Sequence, residues 1–230
     1  MKNAAVSLRR LKRYPEAEQL LKQALSVHGD SSDYYNQLGL LYAEMGQTLD
    51  SLFAFRRSLA LAPNNTLTHL RYLKALSEAR QHEEVSRGLR DLLQRASNDV
   101  DVLRFAFVHA QQRDDLDGAL HYAQEAVAQA EFLRHPDLAA FYHDLANIYR
   151  QKQDMEKAME IFLLSVEQDP SYSQAYINIG ALHHLQQNFE EAERYYLKAL
   201  SLEPDNELCA ANLQKLRKVW KKSSDSLAKT

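Results

Sequence analysis

Two stretches of the chain, YHDLANIYRQKQDMEKAMEIFLLSVEQDP at 142–170 and AYINIGALHHLQQNFEEAERYYLKALSLEPDN at 175–206, carry one pattern, with Pro170 and Pro204 34 residues apart. The second helix-like motif, FEEAERYYLKAL around Ala192, has an echo at Ala17 in YPEAEQLLKQAL. The equivalent positions between them are Ser51, Val85, Ala119 and Ala158, at gaps of 34, 34, 34, 39 and 34. A ladder with that period and a single five-residue insertion before Ala158 restricts the chain to a repeat architecture. In such an array each unit is a supersecondary element that cannot bury its apolar face alone, so neighbours must stack.

Each unit reads as two amphipathic helices. In 173–206 the first carries Tyr176, Ile179, Gly180 and His183 at the i, i+3, i+4, i+7 spacing of one face. The second carries Ala192, Tyr196, Ala199 and Leu200. Gly180 and Ala192 are small where the two helix axes must cross, and Pro204 stops the second helix. The segment 32–65 repeats these roles with Tyr35, Leu38, Gly39, Tyr42, Ser51, Phe55, Ser58 and Pro63. The segment 139–172 does so with Tyr142, Leu145, Ala146, Tyr149, Ala158, Phe162, Ser165 and Pro170.

These residues resemble the tetratricopeptide repeat (TPR) family, with its W/Y-x-x-L-G-x-x-Y first helix, A-x-x-x-F second helix and closing Pro. Three units match closely. The units 66–99 and roughly 100–138 are degenerate, with Leu73 and Phe107 at the small position. Residues 1–31 read as an incomplete unit with a clipped first helix, 207–222 as a solvating cap helix, and 223–230 as a disordered tail. The expected fold is all-α, a single array over 1–222 forming a right-handed superhelical solenoid. Pentatricopeptide repeats lack this Ala/Pro punctuation, and HEAT and armadillo units are longer.

Composition narrows the function. The net charge of −3, from 28 Lys+Arg against 31 Asp+Glu, gives no electrostatic reason to expect nucleic acid or an anionic membrane as partner. One cysteine, Cys209, cannot make an internal disulfide or a cysteine-based zinc cluster. The N-terminus MKNAAVSLRRLKRY has no apolar core of a signal peptide, and no stretch approaches the length of a membrane-spanning helix. The single cysteine fits a reducing compartment, but a secreted or lumenal domain can also lack disulfides, and a fragment cut from a larger protein would look the same.

Catalysis needs converging groups, and the sequence offers none. There is no glycine-rich phosphate loop, and HEE at 82–84 lacks the second His of a zinc protease motif. RDDLDG at 113–118 has Arg113 and Gln124 where a calcium loop needs ligands, so a helical corner is expected there. The adjacent His183 and His184 diverge by roughly 100° on a helix and cannot share a metal. His183 stands where Tyr42 and Tyr149 pack, and Cys209 has no His at helical spacing, so packing is expected of both. No catalytic, metal or cofactor site follows.

The TPR resemblance implies a concave groove lined by first helices, using positions 2, 5, 6, 9, 12 and 13 of each unit. Carried onto this chain, the groove would take Asn36, Gln37, Arg71, Lys74, Arg104, His143, Asp144, Asn147, Arg150, Gln174, Asn178, His184, Asn212 and Lys215. Amides such as Asn147, Asn178 and Asn212 suit a peptide backbone, since each offers donor and acceptor together. The plainer reading is a solvated polar face. A chaperone-tail carboxylate clamp does not fit, because Leu208 and Asn212 stand where its basic pair belongs.

The insertion before the penultimate unit and the terminal NLQKLRKVWKK helix are also similar to the C-terminal TPR region of transmembrane O-mannosyltransferases of the endoplasmic reticulum. That resemblance implies a lumenal substrate-binding region whose catalytic part lies elsewhere; the sequon Asn64-Asn65-Thr66 suits such a location. The expected function is a non-catalytic scaffold for an extended protein or peptide partner, cytoplasmic if the chain is complete and lumenal if it is such a fragment.

Overall fold

A computed structural model describes residues 1–227, with side chains to 222. Thirteen α-helices and no strands occur among the described residues. They follow one another as pairs: α1 (Lys2–Arg10) and α2 (Tyr14–His28), α3 (Ser32–Glu44) and α4 (Thr48–Leu61), α5 (Thr66–Glu78) and α6 (His82–Arg95). Then come α7 (Val100–Gln112) and α8 (Leu116–Phe132), α9 (Leu138–Gln151) and α10 (Met155–Gln168), α11 (Ser173–Leu185) and α12 (Phe189–Leu202), and last α13 (Glu207–Leu227). The fold is an all-α helical solenoid.

Packing divides the chain into two units, Met1–Phe105 and Ala106–Thr230, with the division inside α7. In the first unit, α3 packs against α1, α2, α4 and α5, and α5 packs against α6. In the second, α9 packs between α8 and α10, α10 against α11, and α11 against α12 and α13.

The ladder of small residues explains the pairing. Ala17, Ser51, Val85, Ala119, Ala158 and Ala192 are all 0% exposed, one on each second helix. Where they sit, a larger side chain would push two axes apart and leave voids that a close-packed interior does not tolerate. Gly180 serves the same end from the first helix, since a Cβ there would come within 2.9 Å of the Tyr196 ring and 3.3 Å of the Ala192 carbonyl. Buried hydroxyls tie the pairs further: Ser58 donates to the Ser32 carbonyl and Ser165 to the Ala139 carbonyl, each at 2.7 Å.

The degenerate repeats are compensated. Leu73 occupies the place of Gly39 and Gly180, and the facing helix answers with Gly88, whose Cβ would lie 2.6 Å from Leu73 Cδ2. In the next repeat Phe107 stands at the small position, while Ala123 stands where Phe55, Phe162 and Tyr196 supply an aromatic ring; both Phe107 and Ala123 are buried. The size pattern is exchanged between the two helices, so their combined volume is kept. The insertion is absorbed by α8, which has 17 residues against 14 in α4, α6, α10 and α12, and by the Arg134 turn after it.

The turn inside each pair has a feature that the motif search missed. Lys12, Gly46, Arg80, Asp114, Gln153 and Gln187 all have positive φ, between 56° and 72°, and they fall on the same ladder of spacings. After each, a backbone N–H reaches back across the end of the first helix, as Gln47 N does to Tyr42 O at 2.8 Å and Asn188 N to His183 O at 2.9 Å. This left-handed stop satisfies carbonyls that the helix end leaves open. Glycine takes that conformation without steric cost, yet only Gly46 is one.

The last helix runs to Leu227, beyond the expected end of the cap at 222, so 223–227 of the expected tail are helical. The remainder of that tail, 228–230, lies outside the described residues.

Candidate functional site

Helix α9 has to face both the core and its neighbours. Its apolar side, Phe141, Leu145, Ala146 and Ile148, is buried, which turns His143, Asn147 and Arg150 to the opposite side. His143 is the centre of a polar cluster there. Asn178 of α11 donates from Nδ2 to His143 Nε2 at 2.8 Å. Asn147 Nδ2 lies 3.2 Å from the same ring nitrogen and donates to the His143 carbonyl at 3.1 Å. Arg150 Nη2 donates to Asn147 Oδ1 at 3.3 Å, and Arg150 Nε is buried without a hydrogen-bond partner. The His143 ring is fixed by Tyr172, edge-on at 5.4 Å, and by Phe162 at 5.6 Å. Asp144 Oδ1 stands 3.9 Å from His143 Nδ1.

The cluster presents amide, imidazole and guanidinium groups. Its chemistry suits recognition by hydrogen bonds.

The first unit carries an equivalent rung. Arg71 of α5 donates from Nη1 to Asn36 Oδ1 of α3 at 3.1 Å, and Asn36 is 9% exposed. Arg9 of α1 pairs with Glu44 of α3. Burial, and next the charge of Arg9, push the Arg71 guanidinium below its ordinary value. Lys74 is exposed, Arg104 is half-buried, and Gln37 is half-buried with Oε1 unpartnered.

The other expected groove residues are more dispersed. His184 packs edge-on against Phe189 at 6.3 Å. Asn212 is half-buried on α13, Lys215 is exposed beside it, and Gln174 is exposed at the start of α11, where it accepts a hydrogen bond from the Tyr172 hydroxyl at 3.4 Å. The structure therefore gathers His143, Asn147, Arg150 and Asn178, and separately Asn36 and Arg71. Sequence reasoning missed Arg9 and Glu44, because the first helix is too short to show the motif. The available signal was their spacing of 35 residues, which the pairs Asn36–Arg71 and His143–Asn178 share.

His183 stacks on Tyr195 at 5.4 Å and 11°, and Cys209 is 0% exposed with Sγ 3.4 Å from the Tyr196 carbonyl. Both are packing residues. Burial pushes the Cys209 thiol up and the His183 imidazolium down. Among the described residues no group of three or more His, Cys, Asp or Glu is placed to hold a metal ion. No helix among them is long and apolar enough to cross a membrane.

Comparison with known proteins gives the repeats their name. Models of the tetratricopeptide repeat match residues 1–64, 139–172 and 173–206, together more than half of the chain. Human protein O-mannosyl-transferase TMTC1 is 25% identical over 209 residues, which cover 90% of this chain and 23% of that protein. The chain thus spans less than a quarter of the length of this relative. Among solved structures, Pseudomonas aeruginosa PilF superposes with a TM-score of 0.72 at 18% identity, covering 86% of this chain and 87% of that one. YrrB, described as a TPR protein with an unusual peptide-binding site, gives 0.63 at 18%, covering 84% and 97%. A repeat ladder filled by buried small residues, a helix-pair solenoid and three matches to one repeat family leave a single assignment: the chain is a tetratricopeptide repeat protein.

Proposed function

We propose that this protein is a non-catalytic scaffold that holds an extended segment of a protein partner across the face formed by its first helices, chiefly in the second unit. The observation that carries this is the cluster on α9 and α11, where His143, Asn147, Asn178 and Arg150 hold one another in place. Groups fixed in advance lose little freedom when a flexible peptide docks, so more of the contact energy appears as affinity. Asn212 and Lys215 continue that face onto α13. The peptide-binding description of YrrB supports the reading by fold alone. Photo-crosslinking tests it. A benzophenone side chain at Lys215 should capture partner peptides, and one at Glu160, exposed on α10, should not. Capture from Glu160 alone would contradict the proposal.

A second reading rests on the human O-mannosyl-transferase similarity across 90% of the chain. In it the repeats are the substrate-binding region of such an enzyme. Sequencing the full-length transcript decides this: an upstream multi-pass hydrophobic region supports it, and a complete product without one rejects it.

A further inference from the structure

In the first unit, Arg71 has no ion pair among the described residues. Arg9 lies on α1 and Arg71 on α5, helices that each pack against α3, and the charge of Arg9 reaches Arg71. One carboxylate, Glu44, lies with them, and it is committed to Arg9. Arg71 is half-buried, and among the described residues its side chain bonds to the neutral amide oxygen of Asn36 alone. Arg9 itself is 17% exposed in its side chain, and its Nε is buried without a partner. On α3, next to Asn36, Gln37 Oε1 is also buried and unpartnered. A guanidinium taken partly out of water costs free energy unless an anion accepts its fork of N–H groups, and an amide oxygen offsets little of that cost.

We infer that the Arg71 guanidinium, with Arg9 behind it, is a docking point for one carboxylate of an acidic polypeptide segment, an Asp or Glu side chain. Two guanidiniums against one internal carboxylate leave a single positive charge, which a monoanionic carboxylate neutralises and a dianionic phosphate would overshoot. The planar fork of Arg71 favours a bidentate acceptor. Arg71 lies in the first unit, so this site stands or falls independently of the binding proposed for the second.

The test uses two short fluorescent peptides, one of repeated Gly-Glu-Ser and one of repeated Gly-Gln-Ser, titrated into the full chain at low salt. The glutamate peptide should bind about tenfold more tightly than the glutamine peptide, or more, and the difference should shrink as salt screens the charges. Arg71→Gln should abolish the difference, and Arg71→Lys should keep part of it. Arg90→Gln removes an exposed charge on α6 and should leave the difference intact. Asn36→Asp is the variant that keeps the array folded: it places a carboxylate beside Arg71, so it should occupy the site internally and abolish peptide binding without lowering the melting temperature. Equal binding of the two peptides overturns the inference. So does an Arg90→Gln loss as large as that of Arg71→Gln, or an Asn36→Asp protein that still prefers the glutamate peptide.

Discussion

Asn178 donates a 2.8 Å hydrogen bond to His143, 35 residues earlier, and so joins the first helices of two successive repeats. Asn36 and Arg71 stand in the same relationship in the first unit. The face proposed for a partner is thus also part of what holds the repeats in register. In a stack where each repeat touches only its neighbours, such interface bonds contribute directly to stability.

Asn178 and Asn212 should therefore behave differently. Asn178→Ala removes the bond to His143 and should lower stability by about 0.5–1.5 kcal/mol. The Asn212 side chain has no hydrogen-bond partner among the described residues, so Asn212→Ala should leave stability within about 0.5 kcal/mol. Urea unfolding of the two variants checks this; equal losses would mean that the His143 contact contributes nothing.

The left-handed turns predict a reversal of the usual glycine rule. Gly46 has φ 72° with open space around it, so Gly46→Ala should cost about 1 kcal/mol through backbone strain alone. Gln187 has φ 62° at the equivalent place, and Gln187→Gly should stabilise by about 0.5–1 kcal/mol. Thermal melts of both variants read the effect, and a Gln187→Gly protein that melts lower would contradict it.

His183 should make stability depend on pH. Burial disfavours its imidazolium, Arg194 adds to that, and Glu191 opposes it. The folded-state value is lowered, so the unfolded chain takes up the proton first as pH falls. The stabilisation is present above the ordinary histidine value of about 6.5 and is lost as pH drops below it. His183→Phe keeps a ring against Tyr195 and should flatten the fall in stability between about pH 7.5 and 5.5. An unchanged pH profile in that variant would remove His183 as the cause.

The architecture was legible because its causes are periodic. The Ala17 to Ala192 ladder marks helix crossings, and the prolines at 63, 170 and 204 mark exits, each directly from residue type. The turns were not, because Lys12, Arg80, Gln153 and Gln187 adopt left-handed φ without being glycine; the tertiary packing of the pair imposes it. Leu73 looked like a defect because its compensation, Gly88, lies on the other helix and shows only once the two are packed. Asn178 was recognisable as a groove-facing amide, but its commitment to His143 depends on how two first helices register.

The most direct test of the scaffold account is quantitative affinity capture followed by mass spectrometry, comparing two double variants with the unaltered protein. One carries Asn212→Ala and Lys215→Glu on the first-helix face of the second unit. The other carries Glu160→Ala and Glu190→Ala on exposed positions of the second helices α10 and α12. The account predicts that the first loses its specific partners by about tenfold or more while the second retains them. Retention by the first and loss by the second would contradict it.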